Sequence, residues 1–134
     1  MTDLREAELE AMRILWEAEG PLKPADIQKD FSWEIDNGTL RSTLAGLMEK
    51  GHVSRDKKGK AFFYRPKSSR EKLMSQIAGR LANFFSGGSA ADFITQLIKT
   101  EKLSPEEIAE LCRIADMKIE AEANSNNSKG GKKK

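Results

Sequence analysis

The sequence predicts a mainly α chain with a single β-hairpin in its first half. Apolar residues recur at helical spacing through most of the 134 residues. The pattern turns β-forming only once, in "HVSRDKKGKAFFYRP", residues 52–66. Turn residues such as Gly20-Pro21, Asn37-Gly38 and Gly87-Gly88 fall between the periodic segments. The length suits one domain, or a small domain with an appendage.

Helix 1 is expected from about Arg5 to Glu19, where Leu4, Leu9, Met12, Leu15 and Trp16 repeat at helical spacing. Thr2 or Asp3 is placed to cap it, with Glu6 in a capping-box position. Helix 2 opens at Pro24, which suits a first helical turn, and sets Ile27 and Phe31 on one face. "SWEIDNG" then breaks the pattern, leaving Asp36 or Asn37 to cap helix 3. Helix 3, "TLRSTLAGLMEKG", carries Leu40, Leu44, Leu47 and Met48 as one stripe. Arg41, Ser42, Ala45 and Gly46 fall largely away from that stripe, and Gly51 is placed to end the helix in a left-handed turn.

The hairpin follows, with Lys57-Lys58-Gly59-Lys60 as a basic tip and Pro66 ending its second strand. Three amphipathic helices come next. The first places Leu73, Ile77, Leu81 and Phe84 on one side. The second offers Phe93 and Leu97 beside Ile94 and Ile98. The third opens on Ser104, Pro105 and Glu107, a capping box with proline at the first position, and carries Ile108, Leu111, Ala115 and Ile119. The expected organisation is a compact unit over residues 4–67, a three-helix unit over 70–121, and a disordered basic tail over 122–134. The helices of the second unit are too short and too few to hide their apolar faces alone. A second copy would cover them through Leu73, Ile77, Leu81, Phe84, Phe93, Leu97, Ile108 and Leu111. Packing against the first unit is the alternative.

Composition excludes several classes. Apolar content of 38% and charged content of 33% describe a soluble folded chain, and no apolar run spans a bilayer. The acidic start "MTDLREAELEAM" has no signal-peptide core, so the expected location is cytoplasmic, with no membrane partner. Cys112 and His52 are the only cysteine and histidine, which disfavours a disulfide, a Cys/His metal site or a Cys-His catalytic pair. Cys112 is expected to be a half-buried helix residue. The acidic residues lie on helix faces, and Gly87-Gly88 lacks the lysine and hydroxyl of a phosphate loop. No enzyme activity, cofactor or metal is implied.

The net charge of +2 conceals strong blocks. Residues 1–38 carry −6, 39–70 carry +7, 71–128 carry −3 and the tail +4. A basic block confined to helix 3 and the hairpin points to a polyanionic partner. A helix can enter the DNA major groove if its back is supported by a core, and the Leu40, Leu44, Leu47, Met48 stripe supplies that support. The face left over holds Arg41, Ser42 and Gly46, with Thr39 and Thr43 on its flanks, and arginine can grip guanine with two hydrogen bonds. The hairpin would set Arg55, Lys57, Lys58 and Lys60 beside backbone phosphates. This layout is a winged helix-turn-helix DNA-binding domain followed by a helical dimerisation domain. A winged-helix adaptor that binds protein rather than DNA is the alternative reading.

The segments "LREAELEAMRILWEAEGPLKPADI", "TLRSTLAGLMEKGHVSRDKKGKAFFYRP" and "GGSAADFITQLIKTEKLSPEEIAELCRI" resemble, in order and spacing, the penicillinase-repressor family of transcriptional regulators, the BlaI/MecI/CopY group. The resemblance implies a homodimeric winged-helix repressor on a palindromic operator in double-stranded DNA. It aligns Thr39, Leu40, Arg41 and Ser42 with the family's reading motif. It makes Tyr64 a wing residue that packs the hairpin or approaches the DNA backbone. It places Trp16 in the core, with Trp33 shielding the connection before helix 3. The chain departs from the family at Ala45-Gly46, where members usually carry arginine or Asn-Arg, which implies a bare patch on the reading face. Gln96-Leu97 stands where the antibiotic-responsive members are cleaved at Asn-Phe, and Asn83-Phe84 lies elsewhere. The tail lacks the cysteines of the copper-responsive members. An upstream sensor or protease therefore stays unassigned.

Overall fold

The computed structural model describes residues 4–133, with side chains described through residue 125. The element order is α1 (Glu6–Glu17), α2 (Pro24–Asp30), α3 (Asn37–Glu49), β1 (Val53–Lys58), β2 (Ala61–Pro66), α4 (Arg70–Ser86), α5 (Ala90–Thr100) and α6 (Pro105–Lys133). This is a mainly helical fold with one antiparallel hairpin, an arrangement consistent with a winged helix-turn-helix, followed by C-terminal helices. The chain divides into two compact units at Gly88.

The first unit closes around one core. Met12 and Leu15 of α1, Ile27 of α2, Leu40, Leu44 and Leu47 of α3, Val53 and Tyr64 of the hairpin, and Leu73 of α4 all meet in it. Helix α1 starts later than the expected caps. The Arg5 backbone N–H donates to Glu8 Oε1 at 2.9 Å, so Glu8 rather than Glu6 closes the box, and Thr2 and Asp3 lie outside the described residues. It stops at Glu17, two residues short of the expectation.

Helix α3 is capped by Asp36, whose carboxylate accepts the Thr39 backbone N–H at 2.7 Å. That hydrogen bond holds the Asp36 carboxyl below its ordinary pKa. At the other end, Gly51 adopts φ +84°. Its N–H donates to Met48 O, and the His52 N–H donates to Leu47 O, the paired bonds of a Schellman motif. The hairpin turn is two residues long. Gly59 takes φ +65° and no non-glycine residue has positive φ among the described residues, which fits a turn with glycine in its first central position.

One strand pairing escaped the sequence. Leu22 forms an isolated antiparallel bridge with Tyr64, through bonds of 2.9 and 2.7 Å. The segment after α1 thereby pins β2 to the helices. A single paired residue has no period, so no pattern announces it.

Helix α4 begins at the Ser69 cap and ends at Gly87 in a left-handed conformation. The whole helix belongs to the first unit, and its first turns pack into that core: Leu73 is fully buried there and Ile77 packs on it. In the second unit, Ser89 caps α5, and Ser104 with Glu107 forms the expected reciprocal box at the start of α6. Helix α6 continues through residues 122–125, which the sequence assigned to a disordered tail. Glu122 and Ala123 are good helix formers and extend the turns before them. The side chains of Lys129, Lys132 and Lys133, and all of Lys134, lie outside the described residues.

Candidate nucleic-acid interface

Helix α3 is held rigidly from behind. Leu40, Leu44 and Leu47 have no exposed surface. Glu8 of α1 is buried beside α3, and Lys50 Nζ donates to Glu8 Oε1 at 2.7 Å. A Cβ built on Gly46 would stand 2.7 Å from Glu8 Oε2. Gly46 therefore faces α1 and makes room for a buried carboxylate. The sequence reading put it on the outward face as part of a bare patch; only Ala45 is exposed there.

The outward face presents Thr39, Arg41, Ser42, Ala45 and Glu49. Arg41 Nε donates to Asn37 Oδ1 at 2.7 Å, one turn earlier. That bond engages Nε and orders the side chain, and its two terminal guanidinium nitrogens suit a bidentate acceptor. Thr43 belongs elsewhere. It is buried, and its hydroxyl donates to Thr39 O at 2.8 Å. Position 43 lies on the core flank of the helix, and its hydroxyl turns back on the backbone.

Strand register decides which basic residues of the hairpin share the face of α3. Arg55 pairs with Tyr64 and Lys57 with Phe62, on the same side as Val53. Asp56, Lys58 and Arg65 point to the opposite side, where Arg65 Nη1 meets Asp56 Oδ2 at 3.0 Å. The Arg55 guanidinium lies 3.9 Å over the Phe62 ring, and its Nη1 donates to Tyr64 Oη at 3.1 Å. Arg55 is thus a preordered cation beside the helix rather than a loose tip residue. Lys57, Lys58 and Lys60 are exposed around the turn. Tyr64 itself is buried, so its ring is a core element, and its hydroxyl accepts from Arg55. Between α3 and the wing runs a groove of about 390 Å³ lined by Arg41, Ala45, Met48, Glu49, Arg55 and Tyr64.

Two neighbouring features are anchored by charge and burial. Glu10 accepts from Arg13 Nη2 at 2.7 Å, Ser32 N at 2.8 Å and Ser32 Oγ at 2.6 Å, tying α1 to the loop before α3. These bonds, led by Arg13, lower its carboxyl pKa to about 2. His52 is buried, and desolvation first, then the Lys50 charge, holds its pKa below the ordinary value. Trp16 is half-buried against the core, as expected, while Trp33 stays exposed with its ring edge-on to Phe31 at 5.2 Å. Cys112 is exposed, not half-buried.

The residues expected to meet a second copy divide. Leu73 and Ile77 are already taken by their own core. Leu81, Phe84, Leu97, Ile108 and Leu111 are exposed, and Phe93 is half-buried. Phe84 and its neighbour Phe85 are 73% and 66% accessible.

Residues 4–117 match the family model described as penicillinase repressor. The chain belongs to the penicillinase repressor family. It is 26% identical over 117 residues to the penicillinase repressor of Bacillus licheniformis, covering 84% of this chain and 89% of that protein. It is also 26% identical over 121 residues to the methicillin resistance regulatory protein MecI of Staphylococcus aureus strain N315, covering 87% and 95%. Among solved structures it is similar to the adhesin competence repressor (AdcR) of Streptococcus pyogenes, with a TM-score of 0.47 and 11% identity over 90% of this chain and 81% of that one. At the level of the family, the penicillinase repressor assignment describes a winged helix-turn-helix, DNA-binding, repressor-like protein. No helix among the described residues is long and apolar enough to cross a membrane.

Proposed function

We propose that this member of the penicillinase repressor family is a sequence-specific transcriptional repressor that acts as a homodimer on a palindromic operator. The observation that carries the reading is the shared face of α3 and the wing. An ordered Arg41 stands outward on a helix whose back is closed by Leu40, Leu44 and Leu47, and Arg55 and Lys57 flank it on the same side. Arg41 reads a base edge. Thr39 and Ser42 meet bases or phosphates, and Lys57, Lys58 and Lys60 meet phosphates. Each copy takes one half-site, and the pair occludes the promoter from polymerase.

The exposed apolar residues of α4, α5 and α6 support a second copy as their cover. Linked half-sites bind far more tightly than single ones, so any signal that weakens the dimer releases the operator. The cytoplasm is the compartment this function requires.

The test is selection from random duplex DNA at about 0.15 M salt, a range where phosphate contacts are screened but specific sites persist. An enriched palindrome is the expected result. Arg41→Ala should weaken that site by about 1–3 kcal/mol and relax one position, leaving the dimer intact. Replacing Lys57 and Lys58 with alanine should weaken binding to all duplexes and flatten its salt dependence. Parental binding by both variants would overturn the footprint. No binding by the parent would favour a protein-binding adaptor.

A further inference from the structure

Between the wing and α4 lies a three-residue connection, Lys67 to Ser69, with an unusual concentration of bonds. The Lys67 and Ser68 backbone N–H groups both donate to His52 O, at 2.8 and 3.3 Å. Ser68 Oγ sits 2.7 Å from His52 Nδ1. The Ser68 carbonyl accepts from Trp16 Nε1 at 2.9 Å. Every polar group of Ser68 is therefore engaged, by the turn after α3 on one side and by α1 on the other. The next residue, Ser69, caps α4 through the Lys72 N–H at 3.0 Å. Arg70, in the first turn, lies over the Trp16 ring at 5.6 Å.

Helix α4 spans 17 residues, about 25 Å of helix at 1.5 Å per residue. Leu73 near its base is buried in the core of the winged unit, whereas near its far end Leu81, Phe84 and Phe85 are exposed and the buried Ala82 is not part of that core. Its direction is thus set at the base, and its far end carries the face proposed to join the second copy. A tilt of about 10° at the base moves that end by about 4 Å, more than the roughly 3.4 Å rise of one base pair.

We infer that Ser68 is a positioning residue that sets the spacing of the two operator half-sites, by fixing the angle at which α4 leaves the winged unit. It touches no DNA and acts through α4. The inference rests on the dimeric operator reading above and adds to it which residue selects the spacing.

The test uses full-length protein and duplex libraries in which the half-site is constant and the gap between half-sites varies by single base pairs. The parent should prefer one gap over its neighbours by about tenfold, since one base pair rotates a half-site by about a tenth of a turn. Ser68→Ala and Trp16→Phe each remove one bond of the joint. They should enrich the same half-site but reduce the gap preference to about threefold or less, against that tenfold parental preference. Ser68→Thr, which keeps the hydroxyl, should restore it. Thermal melting of each variant reports on the fold. Unchanged gap preference in both variants would overturn the inference and leave the dimeric reading standing. Loss of half-site sequence as well as spacing would also overturn it, because the joint would then act on α3 itself. A parent that enriches no paired half-sites would remove the dimeric reading and the inference with it.

Discussion

The winged unit and the α5–α6 unit differ in what covers their apolar side chains. In the first, Met12, Ile27, Leu40, Leu44, Leu47 and Leu73 are fully buried within one chain. In the second, α5 has no buried residue, and Ile94, Leu97, Ile98, Ile108, Leu111 and Ile114 are all accessible. Both have the periodicity of amphipathic helices. The difference shows that a stripe records a need for cover, not its source. The wing and α1 supply that cover for α3, whereas α5 and α6 leave theirs exposed.

The largest expected effect tests the closed half. Leu44→Ala should destabilise the winged unit by about 2–5 kcal/mol, the cost of a buried cavity, measured by urea unfolding. A loss below about 1 kcal/mol would mean that this core is not the stabilising centre.

Next comes the open half. Leu97→Asp, in α5, should leave the helical circular dichroism intact while raising the dimer dissociation constant by about 10–100-fold, as for a central interface residue. Sedimentation equilibrium reads it directly. A parent that sediments as a monomer at micromolar concentration would break the comparison, since its apolar faces would then stay open in solution.

A smaller effect lies within the closed half. Gly46→Ala gains about 1 kcal/mol of helix propensity but places its Cβ against Glu8, a carboxylate pinned by Arg5 N and Lys50. The substitution should destabilise the parent and stabilise a Glu8→Ala background, a change of sign that a double-mutant cycle detects. Equal effects in both backgrounds would show that Glu8 yields freely.

The smallest effect depends on pH. Glu10 titrates near 2 in the folded chain against an ordinary value of 4.5, so its stabilisation is present above about pH 4.5 and is lost as pH falls towards 2. Glu10→Gln should flatten the fall of melting temperature across that window. A parallel fall in parent and variant would mean that Arg13 and Ser32 do not hold this carboxylate.

Much of this architecture was legible in residue pattern. Asp36 and Gly51 bracket α3, Gly59 sets the hairpin turn, and Ser104 with Glu107 opens α6, because caps and turns are local chemistry within a few residues. The leucine stripe of α3 was legible for the same reason: its spacing is intrinsic to the helix. The family resemblance read from the same segments agrees with the matched family model.

Other assignments required neighbours distant in sequence. Thr43 and Gly46 sit at the borders of the stripe, where periodicity alone leaves the face undecided. Helix α1 decides it, by placing Glu8 beside Gly46. Leu73 and Phe84 share one helix face in the sequence, yet one is buried in its own core and the other is exposed. Ser68 gives no signal in sequence, because its role comes from His52 and Trp16, 16 and 52 residues away. The sequence by itself determined most helix and turn boundaries, the ends of α1 and α6 excepted, since those depend on bonds between near neighbours. Tertiary structure alone decided which face of each helix is covered and how α4 leaves the wing, since both depend on surfaces brought together by folding.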